Sequence, residues 1–282
     1  MKTRREFITS LAAASALSLV SPSKLFAKTK NKYIGIQLYT IREKLKEDFL
    51  GSLEEIADIG YNSIETAGYQ NGKFYGYPPK EFLKLTKKVG LKALSSHADI
   101  QKDSLQKTID DTLEAGMEYL VKPWLSPDKR KTIDDYIRLA EDFNKIGEQC
   151  NQSGLRFAYH NHAFEFEKTD GQIPYDILLE NTEAHLLTMQ LDTYWMVYGG
   201  MQPIDYFKRY PHRFELLHIK DMDDSKDRES TEIGSGIIDF PAIFDAQKQS
   251  GMKYFFVEQE SFKMPEFESL AKSCDYLKNL KI

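Results

Sequence analysis

The sequence predicts a single (β/α)8 barrel. Three observations carry that prediction. Eight short apolar or β-branched runs alternate with longer amphipathic segments, a glycine precedes several of the runs, and about 255 residues beyond a basic leader suit eight strand–helix units. The runs fall at residues 33–39, 63–65, 91–95, 119–122, 156–159, 186–191, 214–219 and 254–257. They are apolar throughout, as strands covered on both faces are.

The elements follow in order. Leu45, Phe49, Leu53 and Ile56 stand at spacings of 4, 4 and 3 and predict one helix between the first two strands. A longer helix is expected over 133–151, with Ile137, Ala140, Phe143 and Gly147 on one side. Gly60, Gly90, Gly116, Gly154 and Gly251 each precede a strand and read as left-handed helix stops. An open doubly wound sheet is the rival architecture. No G-x-G-x-x-G follows the first run, however, and Gly234-Ser235-Gly236 comes late and reads as a loop.

Residues 1–27 read as an export signal and 28–282 as one barrel domain. Arg4-Arg5 with Phe7 two places on, a mildly apolar stretch from Leu11 to Val20, and an end at Leu25-Phe26-Ala27 give the order of a twin-arginine leader. A disordered basic leader that happens to contain Arg-Arg is the alternative. Ten apolar-leaning residues are too few to span a bilayer. Cleavage near Ala27 and a periplasmic location are expected. Cys150 and Cys274 are the only thiols; nothing in their spacing supports a disulfide, and two isolated buried thiols are expected.

The chain has 282 residues and 41% hydrophobic content, an ordinary globular composition. Its net charge of −5 becomes −8 once a leader carrying +3 is removed, which argues against nucleic acid as a partner. A small sugar or glycoside is the expected partner, and homo-oligomerisation is left open.

In such a barrel the chemistry sits just past the C-terminal ends of the strands. Those positions hold Gln37, Tyr39, Arg42, Glu65, Ser96, His97, Lys122, Trp124, His160, His162, Glu165, Asp192, His218, Lys220, Asp221, Glu258 and Glu260. Four of the six histidines fall there, all but His185 and His212. Asp192, His218 and Glu258 each follow an apolar run. The steps of 32, 26 and 40 residues from His160 through Asp192 and His218 to Glu258 are each about one strand–helix unit. The four side chains are therefore expected at one mouth, on strands 5 to 8. Two carboxylates with imidazoles suit Mn²⁺, Fe²⁺, Co²⁺ or Zn²⁺. An ion-pair network without metal is the plainer reading of the same residues.

The motifs Gly35-Ile36-Gln37-Leu38-Tyr39-Thr40-Ile41-Arg42, Tyr159-His160-Asn161-His162, Phe164-Glu165-Phe166, Leu191-Asp192-Thr193-Tyr194-Trp195, His218-Ile219-Lys220-Asp221 and Val257-Glu258-Gln259 resemble the sugar isomerase/epimerase superfamily of xylose isomerase-like barrels. That superfamily includes ketose 3-epimerases, inosose dehydratases, 3-keto-glycoside lyases and endonuclease IV. The resemblance spans about residues 32 to 280. It implies one divalent metal, Mn²⁺ first with Co²⁺, Fe²⁺, Zn²⁺ or Mg²⁺ as alternatives, held by Glu, Asp, His and Glu. Asp192, His218 and Glu258 match the last three. The first is His160 here, so either His160 takes that place, the preferred reading, or Glu165 reaches back.

Epimerases of the family use two metal-bound glutamates as proton carriers. His160 in place of the first disfavours that symmetric shuttle and favours elimination, with Glu258 or His162 as base and Lys220 neutralising the enolate oxygen. Glu65, His97, Lys122 and Glu165 are candidate sugar contacts, and Trp124 and Trp195 offer ring faces. Export and the missing glycine-rich phosphate cradle point to a non-phosphorylated substrate. The expected activity is 3-keto-glycoside 1,2-lyase, with keto-sugar epimerase or isomerase as the alternative. An endonuclease IV-like nuclease and a non-catalytic sugar-binding protein are remote alternatives.

Overall fold

A computed structural model describes residues 33–280. The predicted signal over 1–27 lies outside the described residues. Eight parallel strands close into a barrel: β1 (Gly35–Gln37), β2 (Ser63–Thr66), β3 (Lys92–His97), β4 (Tyr119–Lys122), β5 (Arg156–His160), β6 (Leu187–Asp192), β7 (Leu216–Ile219) and β8 (Tyr254–Val257). Each pairs with its neighbours in sequence, and β8 closes on β1 through Gly35 opposite Phe256. All eight predicted runs are barrel strands.

The connecting helices are α1 (Arg42–Glu47), α2 (Phe49–Ile59), α3 (Pro79–Lys88), α4 (Leu105–Glu114), α5 (Ile133–Gln152), α6 (Pro174–Asn181), α7 (Thr193–Tyr198), α8 (Pro203–Arg209), α9 (Phe240–Asp245), α10 (Gln247–Ser250) and α11 (Glu266–Asn279). The single helix predicted through Leu45 and Ile56 is two. Asp48 takes an extended conformation and accepts a hydrogen bond from Gly51 N at 3.0 Å, so it stops α1 and caps α2. The five predicted helix-stop glycines all have positive φ, from 80° to 117°. Thr132 and Asp135 form a reciprocal capping box that starts α5, and its buried stripe is Ile133, Tyr136, Ala140, Phe143, Gly147 and Cys150. Both cysteines are buried, and neither is in a disulfide.

The apolar core lies mainly between strands and helices. A smaller cluster of Leu94, Tyr119, Val121, Ala158, Leu216 and Phe256 is separate from it. Successive residues on a strand alternate faces, so Ala158 and His160 share a face, as do Leu216 with His218 and Phe256 with Glu258. One step of two residues along each of these three strands thus leads from apolar plug to polar mouth. Gly35 makes room for that plug, since a Cβ there would sit 2.5 Å from the Phe256 ring. Two hairpins, Tyr69–Gln70 with Lys73–Phe74 and Asp221–Met222 with Ser230–Thr231, extend beyond the barrel strands.

Candidate active site

Register sets the polar layer. His160 on β5 stands opposite Gln190 on β6, Asp192 opposite His218 on β7, and Gln37 opposite Glu65 on β2. Asp192 ends its strand and caps α7: its Oδ1 accepts from Trp195 N at 2.8 Å, and Asn161 Oδ1 accepts from its backbone N at 3.1 Å. Only Oδ2 is left for the barrel mouth. The loop carrying Glu258 is fixed by Gln259 N donating to Thr40 Oγ1 and by Glu260 N and Ser261 N donating to Ser230 Oγ.

The structure brings His160, Asp192, His218 and Glu258 together. One ligand atom from each lies within 4.8 Å of the others, and all four residues are buried. His218 Nδ1 is 3.0 Å from Glu258 Oε2 and 3.9 Å from Asp192 Oδ2. Two buried atoms of the group, His160 Nδ1 and Asp192 Oδ2, have no hydrogen-bond partner. Buried polar atoms are rarely left unpaired. Two carboxylates and two imidazoles, with two of their buried polar atoms unpaired, fit a divalent cation.

Protonation follows from burial and neighbours. Burial opposes charge on His218, but Glu65 and Glu258 prevail and lift its pKa to about 10. Burial, with His218 and other cations adding to it, keeps His160 neutral, the form that ligates metal. Burial raises Asp192 to about 7. It also opposes ionisation of Glu258, which Lys220 and His218 nonetheless hold well below the carboxylate range.

A cleft of about 460 Å³ opens above the group, lined in part by His97, Trp124, His160, His162, Trp195, Glu258 and Glu260. The His162 ring lies 5.0 Å from His160 and 5.5 Å from Trp195, and burial lowers its pKa to about 4. His97 forms part of the wall, with Nε2 2.6 Å from Gln190 Oε1 and 3.0 Å from Glu65 Oε1.

Three expected contacts are placed differently, and a fourth, Lys122, is held in an ion pair. Glu65 is not at the cleft surface. It is fully buried, with Oε1 2.5 Å from His218 Nε2 and 2.7 Å from Gln37 Nε2, and Oε2 2.5 Å from Ser95 Oγ and 2.6 Å from Gln190 Nε2. Glu165 does not reach back to the centre. The turn at Phe164–Phe166 folds it inward, where it accepts from Tyr159 Oη and from His162 N. Lys220 is covered because the chain runs from β7 straight into the second hairpin; its Nζ pairs with Glu260, 3.8 Å from Glu258 Oε2 and 4.9 Å from the Trp195 ring. Lys122 pairs with Asp99 Oδ1 at 2.8 Å, and Asp99 itself lines the cleft.

Sequence reasoning gave no role to Gln190, Ser95 or Asn161, and none to Glu260 beyond a place on the rim. Gln190 was legible, since it lies two residues before Asp192 on the same strand face. Asp221, on the predicted rim, accepts backbone N–H bonds from Gly234 and Gly236, both at 2.9 Å, and shapes the late glycine loop.

A closed (β/α)8 barrel with a buried His/Asp/His/Glu group at the strand ends sets four candidate metal ligands beneath a polar cleft. Residues 53–280 match the xylose isomerase-like TIM barrel family, and the chain belongs to it. The inosose dehydratase of Lacticaseibacillus casei is 29% identical over 165 residues, 52% of this chain and 55% of that protein. That of Bacillus thuringiensis (strain Al Hakam) is 25% identical over 166 residues, again 52% and 55%. The chain spans about half the length of these curated relatives. A sugar phosphate isomerase/epimerase from Parabacteroides distasonis matches with a TM-score of 0.80 at 30% identity, over 90% of this chain and 96% of that one. The IOLI protein with a bound zinc atom shares the fold, with a TM-score of 0.67 at 16% identity, over 88% and 98% of the two chains.

Proposed function

We propose that this chain is a carbohydrate enzyme that uses one divalent cation, Mn²⁺ by preference, held by His160, Asp192, His218 and Glu258. In this reading it removes a proton next to the ketone of a non-phosphorylated sugar. The preferred reaction is β-elimination from a 3-keto-glycoside. The observation that carries the reading is the convergence of those four ligand atoms within 4.8 Å beneath a cleft walled by two tryptophans. The relatives' names, an inosose dehydratase and a sugar phosphate isomerase/epimerase, support a carbohydrate substrate.

A bound cation would supply Lewis-acid polarisation of the ketone. The chain's own residues do the rest. Trp124 and Trp195 present ring faces to the apolar side of the sugar. His162, uncharged at neutral pH, and Glu258, kept ionised by Lys220 and His218, are the proton acceptors at the cleft. The base takes the C2 proton, the C2 electrons form the double bond to C1, and the C1–O bond breaks. The aglycone leaves with that bond's electrons and takes up a proton. His160 denies the site a second glutamate on the opposite face, which favours elimination over epimerisation.

The Parabacteroides structure is named for sugar phosphates. Here Lys220 is paired with Glu260 and Lys122 with Asp99, which supports a substrate without phosphate. The leader over 1–27 supports a periplasmic enzyme.

The test is incubation of Mn²⁺-loaded protein with a 3-keto-glucoside in deuterated water. Released aglycone is the expected result. Deuterium at C2 with inversion and no release indicates the epimerase, and no change with any keto-sugar defeats both.

A further inference from the structure

Beside the polar cleft lies a second one, of about 620 Å³, whose exposed lining is mostly apolar. The two share Tyr39 and Ala67, so they meet at a common sill. Ala67 follows β2 and is small and exposed, which leaves that sill low. Phe49, Tyr75 and Tyr77 line the second cleft, with the Phe49 ring centroid 5.2 Å from each tyrosine ring. Arg42 lies 4.4 Å over the Tyr39 ring and fixes it at the junction.

The chain accepts backbone strain to present these rings. Tyr75 has φ of 51°, a conformation that bulky residues rarely adopt. Its hydroxyl accepts from Ala67 N at 2.9 Å, and its backbone N donates to Gly68 O at 2.8 Å. Gly68 permits this approach, because a Cβ there would lie 2.5 Å from the Tyr75 ring. Strain of this kind persists where the surroundings over-determine it, and such places cluster at ligand sites.

We propose that the second cleft is the subsite for the group attached to the sugar, and that this group is an aromatic aglycone. The inference rests on the polar cleft being the sugar site and adds the substrate class. A flat ring crossing the Tyr39–Ala67 sill meets aromatic faces, whereas a methyl aglycone does not reach them. The Glu43–Lys46 ion pair at 2.8 Å forms the outer rim, where polar substituents of an aglycone stay in water.

The experiment compares 4-nitrophenyl and methyl β-glucosides by calorimetric binding to the full chain, and their 3-keto forms by turnover. The aryl glucoside is expected to bind at least about tenfold more tightly. Tyr77→Ala and, as a conservative second variant, Phe49→Leu are expected to cut that advantage to about threefold or less and to leave methyl glucoside binding unchanged. Equal affinity for the two glucosides in the unaltered chain overturns the inference, and so does an advantage that survives in both folded variants. A concentration-dependent dimer that shields Tyr77 would assign the cleft to a second copy and overturn it as well. Aryl preference without keto-glycoside turnover would uphold the subsite while defeating the lyase reading; turnover without preference would do the reverse.

Discussion

Glu65 Oε1 lies 2.5 Å from His218 Nε2, and this contact turns Nδ1 of the same ring toward Asp192 and Glu258. The glutamate comes from β2 and the histidine from β7, so the orientation of a candidate ligand is set from another part of the barrel. Gln37, Ser95 and Gln190 saturate the remaining lone pairs of Glu65 and hold it rigid. A carboxylate behind a ligating imidazole fixes its tautomer and raises its basicity.

Glu65→Gln therefore lowers metal affinity by about 10- to 100-fold while the fold is retained. Metal titration calorimetry, with circular dichroism as the control for folding, measures this. An unchanged affinity in a folded variant would contradict the role given to Glu65.

Metal uptake at this centre is expected to release a proton. Without metal His218 is an imidazolium up to about pH 10, and its Nδ1 proton stands against Glu258. Ligation needs that nitrogen free. Apparent affinity thus rises about tenfold per pH unit between pH 7 and 9, and more steeply below pH 7, where Asp192 with its pKa of about 7 also binds a proton. Calorimetry in buffers of different ionisation enthalpy counts the protons. A flat profile would refute this.

Glu165 gives a pH signature in stability. Burial raises its pKa from 4.5 to about 7. The folded protein then holds a proton that the unfolded chain has lost, so this group's contribution is full below about pH 4.5 and fades as pH rises to about 7. The slope is at most about 1.4 kcal/mol per pH unit. In Glu165→Gln that slope is absent, and urea melts of both proteins at pH 5 and pH 7 separate them. Parallel pH dependence in the two proteins would show that Glu165 is ionised in the fold.

Lys220 is buried between Glu258, Glu260 and the aromatic rings of Tyr194 and Trp195. Lys220→Met removes the cation between Glu258 and the solvent-screened Glu260, and stability falls while His218 still neutralises Glu258 in part. Added divalent metal recovers part of the loss by neutralising Glu258. Thermal melts with and without Mn²⁺ read this out; unchanged stability without metal would place Lys220 outside the carboxylates' field.

The barrel was legible because its signals are local. Short apolar runs and glycine stops recur in order, and each observed strand overlaps its predicted run. Asp48 was missed as a helix break because its neighbours Leu45 and Phe49 keep helical spacing across it. At the site, Asp192, His218 and Glu258 were readable from their place at or just past the end of an apolar run. The inward fate of Glu165, the covering of Lys220 and the cross-barrel bond from Gln190 to Glu65 were not readable. Each depends on partners 6 to 125 positions away, and spacing along one strand carries no trace of them.

The most direct measurement is the metal content of the purified protein after Mn²⁺ loading and dialysis, set against Asp192→Ala. One equivalent per chain in the unaltered protein and none in the variant is the predicted result. No bound metal, or an equal content in the two proteins, would contradict the centre on which the proposed chemistry stands.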